Sequence, residues 1–173
     1  MKDTIKAGGL YTIVCHGPDG REKWRLQERH NLVVNAALQD VNNVYFRGAT
    51  QKPNWYIGLY GAAASNTPAP ADTAASHPGW TEVVPYSNAT RVQATFAAAT
   101  LADPSVLTNS ASPAVFNINA AGVVGGAFLI SDSTKGGTAG TLFSASDFSA
   151  PGDRNVDTGD TLSVTYTFSL DAA

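Results

Sequence analysis

The sequence is poor in the residues that build reactive or metal-binding sites. It has one cysteine, Cys15, and three histidines, His16, His30 and His77, among 173 residues. A lone cysteine forms no internal disulfide, which fits folding in a reducing compartment. Cys15 ends the apolar run Leu10–Cys15 and reads as a small core residue. The Cys/His spacings of a zinc site are absent. Charged residues make up only 14% of the chain, against roughly 25% in an average soluble domain. No apolar stretch approaches the ~18 residues of a membrane span. The start MKDTIKAGG has no apolar h-region, which predicts no secretory signal. A net charge of −3 provides no global positive field to recruit nucleic acid.

Ala, Gly, Ser, Thr and Asn take the place of charge, and 43% of residues are hydrophobic. Such a surface suits close packing against neighbouring proteins, because few charges must be desolvated at a contact. A neutral surface without a partner is the alternative. The length fits one domain with a real core. Residues 1–50 carry seven Lys/Arg and five Asp/Glu, and the remainder four and nine. Within the first part, Arg21, Lys23, Arg25 and Arg29 are interleaved with Glu22 and Glu28. That pattern is one solvated face of a strand, with phosphate binding as the other reading.

The hydrophobic pattern predicts a mainly β protein. Residues 10–16 and 21–29 form a hairpin about the turn Gly17-Pro18-Asp19-Gly20, with Trp24 and Leu26 facing inward on an edge strand. Residues 31–46 switch to a helical period, capped by Asn31 or Asn35 and stopped near Arg47-Gly48, with Val34, Leu38, Val41 and Tyr45 facing a sheet. A short aromatic strand, 55–60, precedes a long loop, 61–85. Pro68, Pro70, Pro78 and Pro85 exclude a continuous helix or central strand there. Trp80 suggests that this loop docks back onto the body. Further strands are expected at 81–84, 90–96, 114–119, 123–131, 141–145 and 161–170, with 123–131 a buried strand bulged at Gly125-Gly126. These elements predict a β-sandwich, jelly-roll-like or Greek key, with an N-terminal hairpin and one helix. Residues 1–50 form a hairpin-helix element packed on a sandwich of residues 51–173.

No catalytic constellation is legible. The histidines stand in turns or loops without a G-x-S-x-G elbow, and Cys15 and His16, adjacent on a strand, point to opposite faces. Lys135-Gly136-Gly137-Thr138 has the wrong order for a phosphate loop and reads as a turn. Asp147, Asp153, Asp157 and Asp160 are the best metal candidates, yet they lack the D-x-[DN]-x-[DN]-G spacing and suit turns and caps. Asn88-Ala89-Thr90 matches a glycosylation acceptor and is read as a turn. Neither cofactor, metal nor catalytic residue is predicted. What remains is interaction surface. Trp80, Tyr86, Pro68 and Pro70 around the loop, with Arg25 and Arg29 on the hairpin, are the candidate interface residues. For the tryptophans, a place in the core is the competing reading.

The order of these elements resembles tailed-phage virion proteins. The features that carry the likeness are Asn31-Leu32-Val33-Val34-Asn35 entering a helix after a charged hairpin, and Trp55-Tyr56-Ile57-Gly58-Leu59 before a Pro/Ala loop with Asp72-Thr73 and Trp80-Thr81-Glu82. The run Gly125–Leu129, the turn Gly136-Gly137-Thr138 and Gly159–Val164 complete it across most of the chain. The resemblance implies a virion component made in the host cytoplasm, with the major capsid protein or other virion proteins as partners. It implies a capsid decoration (cement) protein first, and a connector, tail or fibre part second. Self-association is expected, and neither nucleic acid nor membrane as a partner. A carbohydrate-binding or carbohydrate-active sandwich, with Glu82 or Asp147 as the acid, is a third class.

Overall fold

A computed structural model describes residues 4–28, 31–61, 67–148 and 152–172. It is a sandwich-like, mainly β molecule with one helix and two packed antiparallel sheets, as the pattern predicted. The first sheet is built on β1 (Ile5–His16) and β13 (Thr161–Ala172), twelve residues each, paired antiparallel from Ile5↔Ala172 to His16↔Thr161. β2 (Glu22–Glu28) returns from the Pro18–Gly20 turn to flank β1. The two strands of the hairpin are thus two of the five in this sheet.

The other flank of β13 is shared by two short strands. β7 (Ser105–Thr108) pairs with Thr167–Leu170, and β8 (Ala114–Asn117) pairs with Thr161–Val164. Between them the ladder would leave backbone groups unpaired, and a buried unpaired peptide group is costly. Asn109 fills the gap. Its Oδ1 accepts the Tyr166 N–H at 2.7 Å, its Nδ2 donates to the Val164 carbonyl at 3.2 Å, and its own N–H donates to the Tyr166 carbonyl. Neither β7 nor this bridging asparagine was legible in the sequence, because Asn109 sits in a polar stretch that reads as a loop.

The second sheet runs β3 (Leu32–Val33), β11 (Leu142–Asp147), β10 (Gly126–Ile130), β4 (Tyr56–Tyr60), β5 (Glu82–Val83), with β6 (Val92–Gln93) also on β4. The run 123–131 is not one bulged strand. It divides at Gly125 into β9 (Gly122–Val124), which pairs with β12 (Arg154–Val156), and β10 in the main sheet. Gly126 has to be glycine, since a Cβ there would lie 2.1 Å from the Tyr60 ring.

Between the sheets, Tyr11 and Tyr166 sit opposite one another in register with ring centroids 4.6 Å apart. Ser144 of β11 reaches both hydroxyls, Tyr11 at 3.1 Å and Tyr166 at 3.2 Å, and Asn31 Nδ2 donates to Tyr166. This polar tie lies among the apolar side chains of the core, where Leu162, Val164, Ile13, Phe116 and Phe128 are buried. Along β13 the inward face is the predicted one, but burial fades towards Leu170, which is exposed.

The helix α1 (Asn35–Arg47) starts later than expected, because Leu32–Val33 joins β11 as an edge strand. Its N-cap is Val34, with no side-chain cap bond; neither Asn31 nor Asn35 caps it. Instead the Asn35 N–H donates to the Pro70 carbonyl at 2.8 Å. Gly48 ends it in the left-handed conformation, as anticipated. The predicted buried stripe is corrected. Val34 and Ala37 are buried, but Leu38 and Val41 are each 45% exposed, and Tyr45 and Phe46 are 80% and 75% exposed. Only the first turn meets the sheet.

Replacing Asn109 with Leu keeps the bulk but strands a donor and an acceptor on β13. At about 1–3 kcal/mol for each buried group left unpaired, the variant is expected to unfold at clearly lower urea than the parent while keeping the same m-value.

Candidate functional site

The predicted interface residues do not converge on one surface. Trp80 is 3% and Tyr86 1% exposed, so both belong to the core of the chain. Trp80 packs on Tyr60 and Phe128 with centroids 4.9 and 5.0 Å away, and His77 stacks on it at 3.8 Å. Its indole N–H donates to Asp72 at 2.9 Å, and the same carboxylate oxygen accepts the Ala69 N–H. The proline-rich segment is thus folded back by a tryptophan, with Thr67 N–H bonded to the Gly79 carbonyl. His77 is half-buried in this stack rather than free in a loop. Tyr86 meets Phe116 edge-on at 4.9 Å and carries Lys135 Nζ 4.5 Å above its ring. An interface role for its side chain is replaced by a packing role, because a large aromatic stabilises more when fully buried. Pro68 is half-buried and Pro70 exposed. Arg25 is exposed and paired with Glu22 at 2.8 Å on the hairpin face. Arg29 lies outside the described residues, as does His30.

Of the candidate acids, Glu82, Asp157 and Asp160 are engaged in structural ties. Glu82 and Arg91 form a buried bidentate pair, Nε–Oε1 3.0 Å and Nη2–Oε2 2.7 Å. Arg91 also donates to the carbonyls of Asp132 and Gly137, and the Gly136 N–H donates to Glu82. This clasp pins the Gly136-Gly137 turn to β5 and takes both Glu82 oxygens, so Glu82 is not free to act as an acid. Nothing in the local sequence marks Arg91 as a partner of Glu82; the two stand nine positions apart along mostly irregular chain. Asn88, in the acceptor-like triplet, bonds the Val115 carbonyl and the Asn117 N–H, as a turn residue does.

Asp157 and Asp160 meet across the sheet with Lys23, whose Nζ lies 2.8 and 2.6 Å from them. Burial alone would raise the Asp160 pKa. The Lys23 ammonium and the Asp157 N–H, bonded to the same carboxylate, outweigh it and hold the pKa below the usual range. The Cys15 thiol, 3.7 Å from Asp160, is pushed up to about 12, first by burial and then by that carboxylate. It is an inert core group. Among the described residues, no three or more His, Cys, Asp or Glu side chains gather in a group able to hold a metal ion.

The site with binding geometry lies elsewhere. Where α1 lifts away from the sheets, an open apolar cleft of about 260 Å³ runs beneath it. Trp55, Phe96, Leu107, Leu129, Phe143 and Phe168 bring walls from both sheets, and Val41 and Tyr45 close it from the helix. Edge-to-face pairs fix the walls, Trp55–Phe143 at 5.4 Å and Phe143–Phe168 at 5.3 Å. Asp40 and Lys52, both in the lining, form an ion pair with each other. A mostly apolar concavity with few polar groups is the usual form of a recognition site. The helical period revealed the stripe that carries Val41 and Tyr45, but not that the stripe stays uncovered.

No family model, curated protein or solved structure matches this chain. Its class is therefore defined by architecture: a two-sheet β-sandwich with one peripheral helix.

Two substitutions test the electrostatic ties. Arg91→Met leaves Glu82 buried without its counter-charge and is expected to cost about 3–5 kcal/mol by chemical denaturation. Asp160 has a depressed folded pKa, so its contribution is present above the unfolded value of about 3.9 and is lost as pH falls through the folded pKa. In Asp160→Asn, stability at neutral pH should drop, and the acid limb of a stability–pH profile should flatten. An unchanged acid limb would show that the folded pKa of Asp160 is not depressed.

Proposed function

We propose that this chain is a structural component of a tailed-phage virion, a capsid decoration (cement) protein that binds neighbouring capsid subunits. The observation that carries the reading is large apolar side chains left in water on a rigid, weakly charged sandwich. Besides the helix face, Leu101 is fully exposed in the turn before β7, and Ile5 and Leu170 are exposed at the ends of the long strands. Leu101, Ile5 and Leu170 lie outside the lining of the cleft. Isolated exposed apolar residues need no explanation, whereas clustered ones mark interaction surfaces. Several modest contacts on one rigid body suit a lattice, where each added contact is made at high effective concentration. The segment carrying Leu101 is braced for such a role. Thr100 binds the Val106 N–H through its hydroxyl, and its own N–H donates to the Val106 carbonyl.

The purified protein is expected to bind expanded capsids from its own source and to raise the temperature at which they disrupt. Leu101→Asp should weaken that binding without changing the circular dichroism spectrum. Absence of binding to capsids, with labelled protein found at the connector, tail or fibre, would move the assignment to those parts.

A further inference from the structure

We propose that the exposed face of α1 and the cleft beneath it form a two-fold contact with a second copy of this chain, in which Phe46 of each copy enters the cleft of the other. The proposal deepens the reading of the protein as an interaction module by naming the neighbour that this face takes.

Three observations select a second copy. The first is shape. A two-fold contact joins one patch to itself, so the patch must carry both a projection and a recess. Here they are side by side. Tyr45 and Phe46 project at the end of α1, 80% and 75% exposed, with their rings braced edge-on at 4.9 Å. Tyr45 also borders the recess. The cleft, about 260 Å³, is larger than the roughly 150 Å³ apolar cavity that holds a benzene ring. One phenylalanine ring fits, and its surroundings would be Trp55, Leu107, Phe143 and Phe168.

The second is charge. Bringing a patch onto itself sets every unpaired charge against its own copy, and like charges in contact are costly. The charged residues of the cleft are Asp40 and Lys52, already paired with each other. The rest of the helix is Asn, Gln and apolar up to Arg47 at its end. A strongly charged partner would find only Arg47, at the rim of the patch, to pair with, whereas between identical copies the charges inside the cleft are already neutralised.

The third is area. A fully buried aromatic side chain removes roughly 150–250 Å² from water. Tyr45 and Phe46, mostly exposed, with Leu38 and Val41, each just under half exposed, bring the contact to the low end of specific interfaces, roughly 600 Å² per partner.

The test uses the full chain alone, without capsids. Sedimentation across a concentration series should give twice the 18.0 kDa chain mass. The dimer should persist at about 1 M salt, where the Debye length is about 3 Å. Phe46→Glu should raise the dimer dissociation constant at least about 30-fold, the size of a hot-spot loss, with an unchanged circular dichroism spectrum, since the side chain is exposed. Tyr45→Glu provides the same test independently. A monomer at every concentration up to roughly 1 mM, far above the range of specific association, would overturn the proposal. So would a trimer or larger ring, or a dimer indifferent to both substitutions. A monomer that still stabilises capsids leaves the virion reading standing, and a dimer with no effect on capsids sinks only that reading.

Discussion

The antiparallel pairing of the first and last strands holds the other parts in place. β1 and β13 are joined over twelve residues, and their opposed residues Tyr11 and Tyr166 project into the space between the sheets. Ser144 bonds both phenols, so the register of one sheet is tied to the position of the other. A one-residue slip would turn the tyrosines outward and Thr12 and Thr165 inward. The contact is also the most non-local in the chain, closing a loop of almost the whole sequence. Such closure is slow to form, though its entropic cost grows only slowly with length.

Around that pair, polar side chains take over where regular structure runs out. Asn109 completes the ladder between β7 and β8, Asp72 holds Trp80 and the folded-back loop, and Arg91 with Glu82 secures a turn. These groups are buried and bonded, which is the condition under which burying them is tolerated. Their effect is to let a chain with short strands and much irregular backbone reach a single packed arrangement. Of these residues Glu82 is also a candidate acid, and the clasp with Arg91 takes up both its oxygens.

The helix is the exception to this economy of burial. Its first turn is docked through Ala37 and through the Pro70 carbonyl at its N-terminus, while its last two turns carry Tyr45 and Phe46 into solvent. Large apolar groups kept in water stand out in a molecule that buries Trp80 and Tyr86 almost fully. The apolar cleft exists because the helix diverges from the sheets at that point.

The mainly β class, the hairpin, the helix and the inward face of β13 were legible in the sequence alone, because side-chain period and turn residues are local properties. The inertness of Cys15 and the turn at Gly136-Gly137 were legible for the same reason. The sequence did not show that residues 123–131 serve two sheets, that Tyr86 is core, or that Leu38, Val41 and Tyr45 remain uncovered. A helical stripe states which residues share a face, but whether that face meets a sheet depends on the direction in which the helix leaves it. That direction is decided by the β3–β11 pairing and by Pro70 across the helix start, contacts between segments far apart in the chain. Only the tertiary structure, therefore, placed the surface on which the proposed function rests.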